Sequence, residues 1–398
     1  MNKLLVIGSG PGDERLRTDW AKESLTAAQR ILHTREMSLE ELYKALKKPE
    51  TGLTAVLVSG DCGFFSVARR IAEAYGKLYE IEWIPGISSI QYLSAKIKVP
   101  YDDAALISLH GRDGYIVPIV AYNKKVFALT GGEYCAAAIC GSLCKYGLGD
   151  ARVSVGEKLS LPEERILSGR AEDLQDMEFD KLSVVYVENP LAVDPHASLY
   201  DEDFIRGGVP MTKEEIRWLS VQKLGVRPKD VVYDIGAGTG SVAVEMARKA
   251  CEGFVYAVES KAEACALIKE NAVRLGAYNL EIVQGEAPGA LGGLPVPDKA
   301  FIGGSSGNMD GIVEKLLSLN QGVRIVANAV TLETLHQIME SFAKHGLYTE
   351  DVTCVNIAKA KKTGAYHMMT AHNPVHIITG VAGITGESDI TSVAGGDL

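Results

Sequence analysis

The stretch Val231-Val232-Tyr233-Asp234-Ile235-Gly236-Ala237-Gly238-Thr239-Gly240-Ser241 constrains this chain more than any other. An apolar run ends in an acid, three glycines follow at alternate positions, and a helical pattern begins at about Val242. Such a strand, turn and helix open a parallel α/β sheet, which holds its ligands at the carboxyl ends of the strands. Glycine there lets the backbone approach a ligand with no Cβ between. A nicotinamide site spaces its glycines G-x-G-x-x-G, so that pyrophosphate rests on the helix N-terminus. Here the third glycine falls one residue early. That spacing suits a methionine-and-adenosine ligand, which carries no phosphate and brings an ammonium and a sulfonium whose charge Asp234 can offset. The second strand ends in Val258-Glu259, a carboxylate placed to accept both ribose hydroxyls. The third ends in Gly285-Glu286-Ala287-Pro288, where an adenine ring would lie.

At 398 residues the chain exceeds what one core usually serves, which predicts two domains. The first half repeats one grammar, an apolar strand followed by a small-residue turn. Residues 4–7 run into Gly8-Ser9-Gly10-Pro11-Gly12-Asp13, 54–58 into Ser59-Gly60-Asp61-Cys62, 81–84 into Pro85-Gly86-Ile87-Ser88-Ser89, 106–109 into His110-Gly111-Arg112, and 126–129 into Thr130-Gly131-Gly132. Helical spacing covers 20–31 and a segment carrying Val67, Ile71 and Ala74. The pattern lapses around Pro190 and Asp194-Pro195, so a first domain is placed at 1–190, a polar connector at 191–206 and a second domain at 207–398. In the second, Thr212 followed by Glu215 has the form of a capping box for a helix reaching Leu224. Strands are then expected at 231–233, 254–258, 280–283, 300–302, 324–327, 349–356 and 375–379, in a mostly parallel sheet.

Composition narrows the function classes. A formal charge of −10 argues against a nucleic-acid partner, whose grip needs a basic face, and favours a small molecule. No apolar run approaches the roughly 20 residues that span a bilayer, so no membrane role and a cytoplasmic location are expected. The seven cysteines are scattered, without a Cys-x-x-Cys pair, and read as reduced thiols; no metal site is expected.

The second half, through Gly208-Val209-Pro210-Met211-Thr212-Lys213-Glu214-Glu215-Ile216-Arg217, Tyr233 to Gly240, Glu286-Ala287-Pro288 and Phe301-Ile302-Gly303-Gly304-Ser305, resembles the decarboxylating precorrin methyltransferases (CbiT). The first half resembles their usual fusion partner (CbiE), of the tetrapyrrole methylase family, through Gly8-x-Gly10-Pro11-Gly12-Asp13, Ser59-Gly60-Asp61, Pro85-Gly86-Ile87-Ser88-Ser89 and Ser108-Leu109-His110-Gly111-Arg112. The resemblance implies an α/β protein with a two-lobed tetrapyrrole methylase domain, then a Rossmann-like class I methyltransferase domain. It implies two S-adenosyl-L-methionine sites, a corrinoid precursor as substrate, and self-association. The first domain would methylate C5 of a (cobalt-)precorrin, the second C15 with loss of the ring C acetate carboxyl, in cobalamin biosynthesis. Carried over by position, Thr212, Gly236, Ala237, Gly238, Thr239, Gly240, Glu259 and Ala287 would contact the cofactor in the second half; Pro11, Gly60, Asp61, Ser88 and Ser89 would do so in the first. The chain departs from the family pattern at Cys62, where proline is usual, and at Glu286, where aspartate is usual.

An activated sulfonium methyl needs a carbon nucleophile held in line, and a partly reduced tetrapyrrole already offers one, so most of the catalysis is positioning. General-base candidates are His110, Asp102 and Glu188 in the first half and Glu286 and Glu333 in the second. Arg112, Arg217 and Lys213 lie beside motifs and could hold substrate carboxylates or simply face solvent. The turn Gly303-Gly304-Ser305 and Asn328 sit at strand ends on the ligand-binding edge. Two other classes remain: a nicotinamide-dependent oxidoreductase, disfavoured by the glycine spacing, and a non-catalytic tetrapyrrole or S-adenosylmethionine sensor, disfavoured by two cofactor loops in one chain.

Overall fold

The computed structural model describes residues 2–49, 52–109 and 115–382, so the predicted site residues His110 and Arg112 lie outside the described residues. The chain divides into two compact units, residues 1–116 with 123–190, and residues 117–122 with 191–398.

The first unit opens with β1 (Asn2–Gly8), α1 (Asp19–Ala27), β2 (Arg30–His33), α2 (Leu39–Leu46), β3 (Leu53–Val58), α3 (Ala68–Tyr75), β4 (Tyr79–Ile84) and α4 (Ser89–Ile97). These strands form a four-stranded parallel sheet in the order β2-β3-β1-β4. Continuous apolar runs in β1 and β3 are the signature of strands covered on both faces, and Leu4, Val6, Ala55 and Val56 are fully buried. Helix α1 stops at Ala27, and Ile31, expected at a helix end, lies in β2. Polar side chains fix three helix starts: Thr18 caps α1, and Ser38 with Glu41 and Ser88 with Gln91 form capping boxes on α2 and α4.

The chain continues through β5 (Ala105–Ser108), α5 (Ile116–Tyr122), β6 (Lys125–Leu129), α6 (Ala136–Lys145), β7 (Arg152–Glu157), β8 (Arg165–Arg170), α7 (Ala171–Leu174) and β9 (Ser183–Glu188). A five-stranded sheet results, ordered β5-β6-β9-β7-β8, in which only β5 and β6 pair in parallel. The antiparallel members β7 to β9 do not follow the strand-and-glycine-turn grammar of the chain before them, and no strand is expected there from sequence.

The second unit contains α8 (Glu214–Leu224), β10 (Val231–Ile235), α9 (Ser241–Lys249), β11 (Phe254–Glu259), α10 (Ala262–Arg274), β12 (Leu280–Gln284), β13 (Lys299–Ile302), α11 (Met309–Leu319), β14 (Arg324–Ala329), α12 (Leu332–Lys344), β15 (Leu347–Val355), β16 (Ala358–Thr363), β17 (Tyr366–Ala371) and β18 (Val375–Ala382). Its seven-stranded sheet has the order β12-β11-β10-β13-β14-β18-β15, in which β18 alone runs against the direction of the other six strands. Placing β13 beside β10 reverses the strand order and opens a crevice at the carboxyl edge. Strands β16 and β17 form a separate antiparallel hairpin; β16 is half lysine and both strands are almost wholly exposed, so no buried apolar face marks them in the sequence.

Within 191–206, read as a connector, Leu199 and Phe204 are buried in the core of this unit. The capping box expected from Thr212 and Glu215 does not form: α8 starts at Glu214, its N-cap is Lys213, and no side chain caps it. Glu215 is drawn instead to Lys359 Nζ at 2.7 Å. Arg217, read as a substrate ligand or a solvent-facing charge, is fully buried. Its guanidinium donates to Asp201, to Glu245 and to the carbonyls of Leu199 and Thr212, and lies 4.6 Å from the centre of the Phe204 ring. A buried arginine with its donors filled in this way ties the entry segment to the helix layer.

Candidate active sites

In the second unit the glycine loop, the ends of β11 to β14 and the segment before α8 enclose a cavity of about 860 Å³. That volume is in the range of small-molecule and cofactor sites. The loop is shaped by backbone contacts that only glycine tolerates. Gly236 has φ +72°, and a Cβ there would stand 2.6 Å from the Gly304 carbonyl oxygen. Gly240, with φ +76°, is the N-cap of α9 and would press a Cβ on Ile268 at 3.0 Å; it is turned to the core and does not line the cavity. Asn271, fully buried on α10, donates to the carbonyls of Thr239 and Ile205, both at 2.9 Å, and so fixes the outer side of the loop.

Asp234 reaches the cavity floor and is 1% exposed. Neither carboxylate oxygen has a hydrogen-bond partner of good geometry among the described residues. Burial pushes its pKa up to about 7, the N–H of Ala243 at the start of α9 opposing this and the nearby charge of Glu259 adding to it. An uncompensated carboxylate this deep is stabilised by a cationic ligand. Glu259, also buried, accepts from the Gly238 N–H at 2.9 Å and from the Lys261 N–H at 3.0 Å, so it braces the glycine loop while lining the cavity.

The first unit holds a cavity of about 630 Å³ at the carboxyl edge of its parallel sheet. Gly10 and Gly60, both with positive φ, exchange backbone hydrogen bonds of 3.1 and 3.0 Å and bring the loops after β1 and β3 together. Gly8 and Gly86 pack so closely that a Cβ on Gly8 would lie 2.6 Å from the Gly86 nitrogen. The thiol of Cys62 donates to the Ile84 carbonyl at 3.4 Å, and burial pushes its pKa up to about 11.

Residues 33–175 match the family of tetrapyrrole (corrin/porphyrin) methylases, and residues 202–381 the precorrin methyltransferase domain. The precorrin-6Y C(5,15)-methyltransferase [decarboxylating] of a Sinorhizobium species is 33% identical over 336 residues, 81% of this chain and 78% of that one. The chain belongs to the precorrin-6Y C5,15-methyltransferase (decarboxylating) family. A protein of Pyrobaculum calidifontis named probable cobalt-precorrin-6B C(15)-methyltransferase (decarboxylating) is 43% identical over 185 residues, 46% of this chain and 94% of that one. The crystal structure of a precorrin-6Y C5,15-methyltransferase from Geobacter metallireducens is 36% identical, covering 47% of this chain and 96% of that chain with a TM-score of 0.44.

For this precorrin methyltransferase chain the geometry gathers most residues singled out in the sequence. Thr212, Asp234, Gly236, Ala237, Gly238, Thr239, Glu259, Gly285, Glu286, Ala287, Gly303, Gly304, Ser305 and Asn328 all line the second-unit cavity. The Asn328 amide is held there by Ser220 of α8, at 3.0 Å from Nδ2 to Oγ. Glu333 sits exposed in the first turn of α12 and does not line the cavity. In the first unit Pro11, Gly60 and Ser89 line the cavity, whereas Asp61 and Ser88 do not. The Asp61 carboxylate accepts the N–H groups of Gly63 at 2.8 Å and Gly86 at 3.0 Å, and the Ser88 hydroxyl accepts that of Gln91 at 3.2 Å, so both are turned to the loops they shape.

Sequence reasoning missed Arg35, Arg70 and Lys181 in the first cavity and His372 and Asn373 in the second. Arg35 follows β2, and an expected helix through residue 31 hides that strand and with it the place of Arg35 on the ligand-binding edge. His372 and Asn373 lie between β17 and β18, beyond any motif.

Proposed function

We propose that this chain methylates a precorrin or cobalt-precorrin twice with S-adenosyl-L-methionine, at C5 in the first unit and at C15 with decarboxylation of the ring C acetate in the second. The observation that carries the reading is the second cavity's floor, an unpaired buried carboxylate beneath a glycine loop whose backbone would tolerate no side chain at Gly236. This donor set fits a ligand with cationic groups and an adenosine. Asp234 would face the charge, Glu259 the ribose hydroxyls, and Gly285 to Ala287 the adenine. When bound, S-adenosyl-L-methionine supplies an activated methyl on sulfur.

The rest is positioning by the protein. Asn328 and the Gly303 to Ser305 turn line the same cavity as Thr212 and would set the macrocycle edge against the donor. Exposed Glu286 is the carboxylate of this cavity placed to take a proton at its rim. In the first unit, Pro11, Gly60 and Ser89 would form the donor's cradle. The two units are proposed as separate domains, 1–190 and 207–398, of a homo-oligomeric cytoplasmic enzyme that needs no metal of its own.

Anaerobic incubation with S-adenosyl-L-methionine and either precorrin-6B or its cobalt form, followed by mass spectrometry, tests the proposal. Two added methyls and one lost carbon dioxide are expected on one of the two substrates. No mass change on either, with cofactor binding intact, overturns it.

A further inference from the structure

We propose that the first unit's cavity docks its substrate as a polyanion, with Arg35, Arg70 and Lys181 as the residues that select a tetrapyrrole rich in carboxylates. The inference deepens the reading of this unit as a tetrapyrrole-methylating site and rests on it.

The chain carries 51 acidic against 41 basic residues, yet no Asp or Glu stands among the described residues lining this cavity, while these three cations do. None of the three has an ion-pair partner among the described residues, although Arg69 beside Arg70 and Asp180 beside Lys181 do. Arg69 pairs with Glu73 at 2.8 Å, and Lys158 with Asp180 at 3.3 Å. Arg35 is already oriented: Nε donates to Ser59 Oγ and Nη2 to the Pro11 carbonyl, each at 3.0 Å, which ties it to the loops after β3 and β1. Among the described residues no other acceptor takes its remaining donors. Burial and the cation of Arg17 both work against its charge, a situation that an arriving carboxylate relieves.

Beside the cations, Phe64 and Phe65 line the same cavity with ring centroids 4.9 Å apart, edge to face. Phe65 is 37% exposed and holds a left-handed backbone, φ +46°, rare for an aromatic residue. A strained backbone that presents an aromatic ring to a cavity marks a ligand contact. Cations and aromatic rings lining one cavity suit a macrocycle with an apolar plane and carboxylate side chains.

The test titrates the full-length protein with two porphyrins by fluorescence, uroporphyrin, which is rich in carboxylates, and mesoporphyrin, which has few. Uroporphyrin is expected to bind more tightly, with an affinity that falls as salt rises. Arg35→Met is expected to weaken it by about 10- to 100-fold, as for a charge-assisted hydrogen bond. The exposed Arg70→Ser and Lys181→Ser should each weaken it by about 2- to 5-fold. Because Arg35→Met could disturb the Pro11 loop, the double variant R70S/K181S is the independent check. Calorimetric titration with S-adenosyl-L-methionine verifies that its loops are intact. Unchanged uroporphyrin affinity in both R35M and R70S/K181S overturns the proposal, as does equal binding of the two porphyrins. Graded binding with no methyl transfer would instead sink the catalytic reading and leave the site standing. Normal C5 methylation by R35M/R70S/K181S, with unaltered KM, would sink the site and leave the catalytic reading.

Discussion

The two cavities differ in the charge of the side chains that line them. The second is lined by Asp234, Glu259 and Glu286 with Lys213 and Lys261, and its deepest charged group is an uncompensated carboxylate. The first has Arg35, Arg70 and Lys181 and no acid among its described lining residues. On the proposed reading both take the same methyl donor, so the contrast shows two ways to hold it. The second unit would set a buried side-chain charge against the donor's cations. In the first, backbone and small residues at Pro11, Gly60 and Ser89 would form the cradle, and the side-chain charge would be kept for the other substrate.

The largest effect should come from Gly236→Ala. The new Cβ would meet the Gly304 carbonyl oxygen at 2.6 Å in a left-handed backbone, and both partners are main chain, so neither can swing aside. A loss of about 2–4 kcal/mol from the second unit is expected, with C15 methylation and decarboxylation abolished. Thermal denaturation and product mass read the two effects, and porphyrin binding in the first cavity should persist. Retention of the C15 reaction would remove the glycine loop from the site.

Asp234→Asn should come next. The folded carboxyl titrates near 7, far above the ~3.9 of an unfolded aspartate. The unfolded state therefore releases its proton first, so this residue lowers the stability of the ligand-free unit as pH rises from about 4 through about 7, and no further above that. A cationic ligand favours the ionised form, so donor affinity in the second cavity should climb with pH up to about 7 and then level. In D234N both trends should vanish, with affinity at pH 8 down by about 10- to 100-fold. Calorimetric titrations at pH 6, 7 and 8 resolve this. An affinity in D234N equal to that of the parent would break the proposed contrast between the cavities.

How far these sites could be read in advance follows the physics of each strand. Parallel strands buried on both faces leave apolar runs that end in glycine turns, so β1, β3, β10 and β11 and the ligands at their ends stand out in the sequence. Asp234, Gly236 and Glu259 are legible for that reason. Strands β7 to β9 lack those turns, and β16 is half lysine, so the hairpin preceding His372 is invisible until the chain is folded. Arg217 shows the opposite failure. A cation beside a motif reads as a ligand, and only the positions of Asp201, Glu245 and Phe204 reveal that its partners are internal. Arg35 is masked for a local reason, since the four-residue β2 follows closely on α1 and continues its helical spacing.

The smallest effect is also the most discriminating for the first unit. Ser88 falls in the motif that implies cofactor contact, yet it is buried, lies off the cavity, and caps α4 through the Gln91 N–H, with Gln91 Oε1 accepting in return from the Ser88 N–H at 2.8 Å. Ser88→Ala removes one capping acceptor and should destabilise the first unit by about 1 kcal/mol. Because α4 begins at Ser89, which does line the cavity, a frayed first turn would act on the donor only indirectly. Affinity in the first cavity should therefore change by less than about 2-fold, measured by calorimetry alongside Tm. A tenfold loss at unchanged Tm would make Ser88 a ligand in its own right. The first unit would then hold its donor with a buried side chain, as the second is proposed to do, and the difference between the cavities would narrow to the sign of the charge.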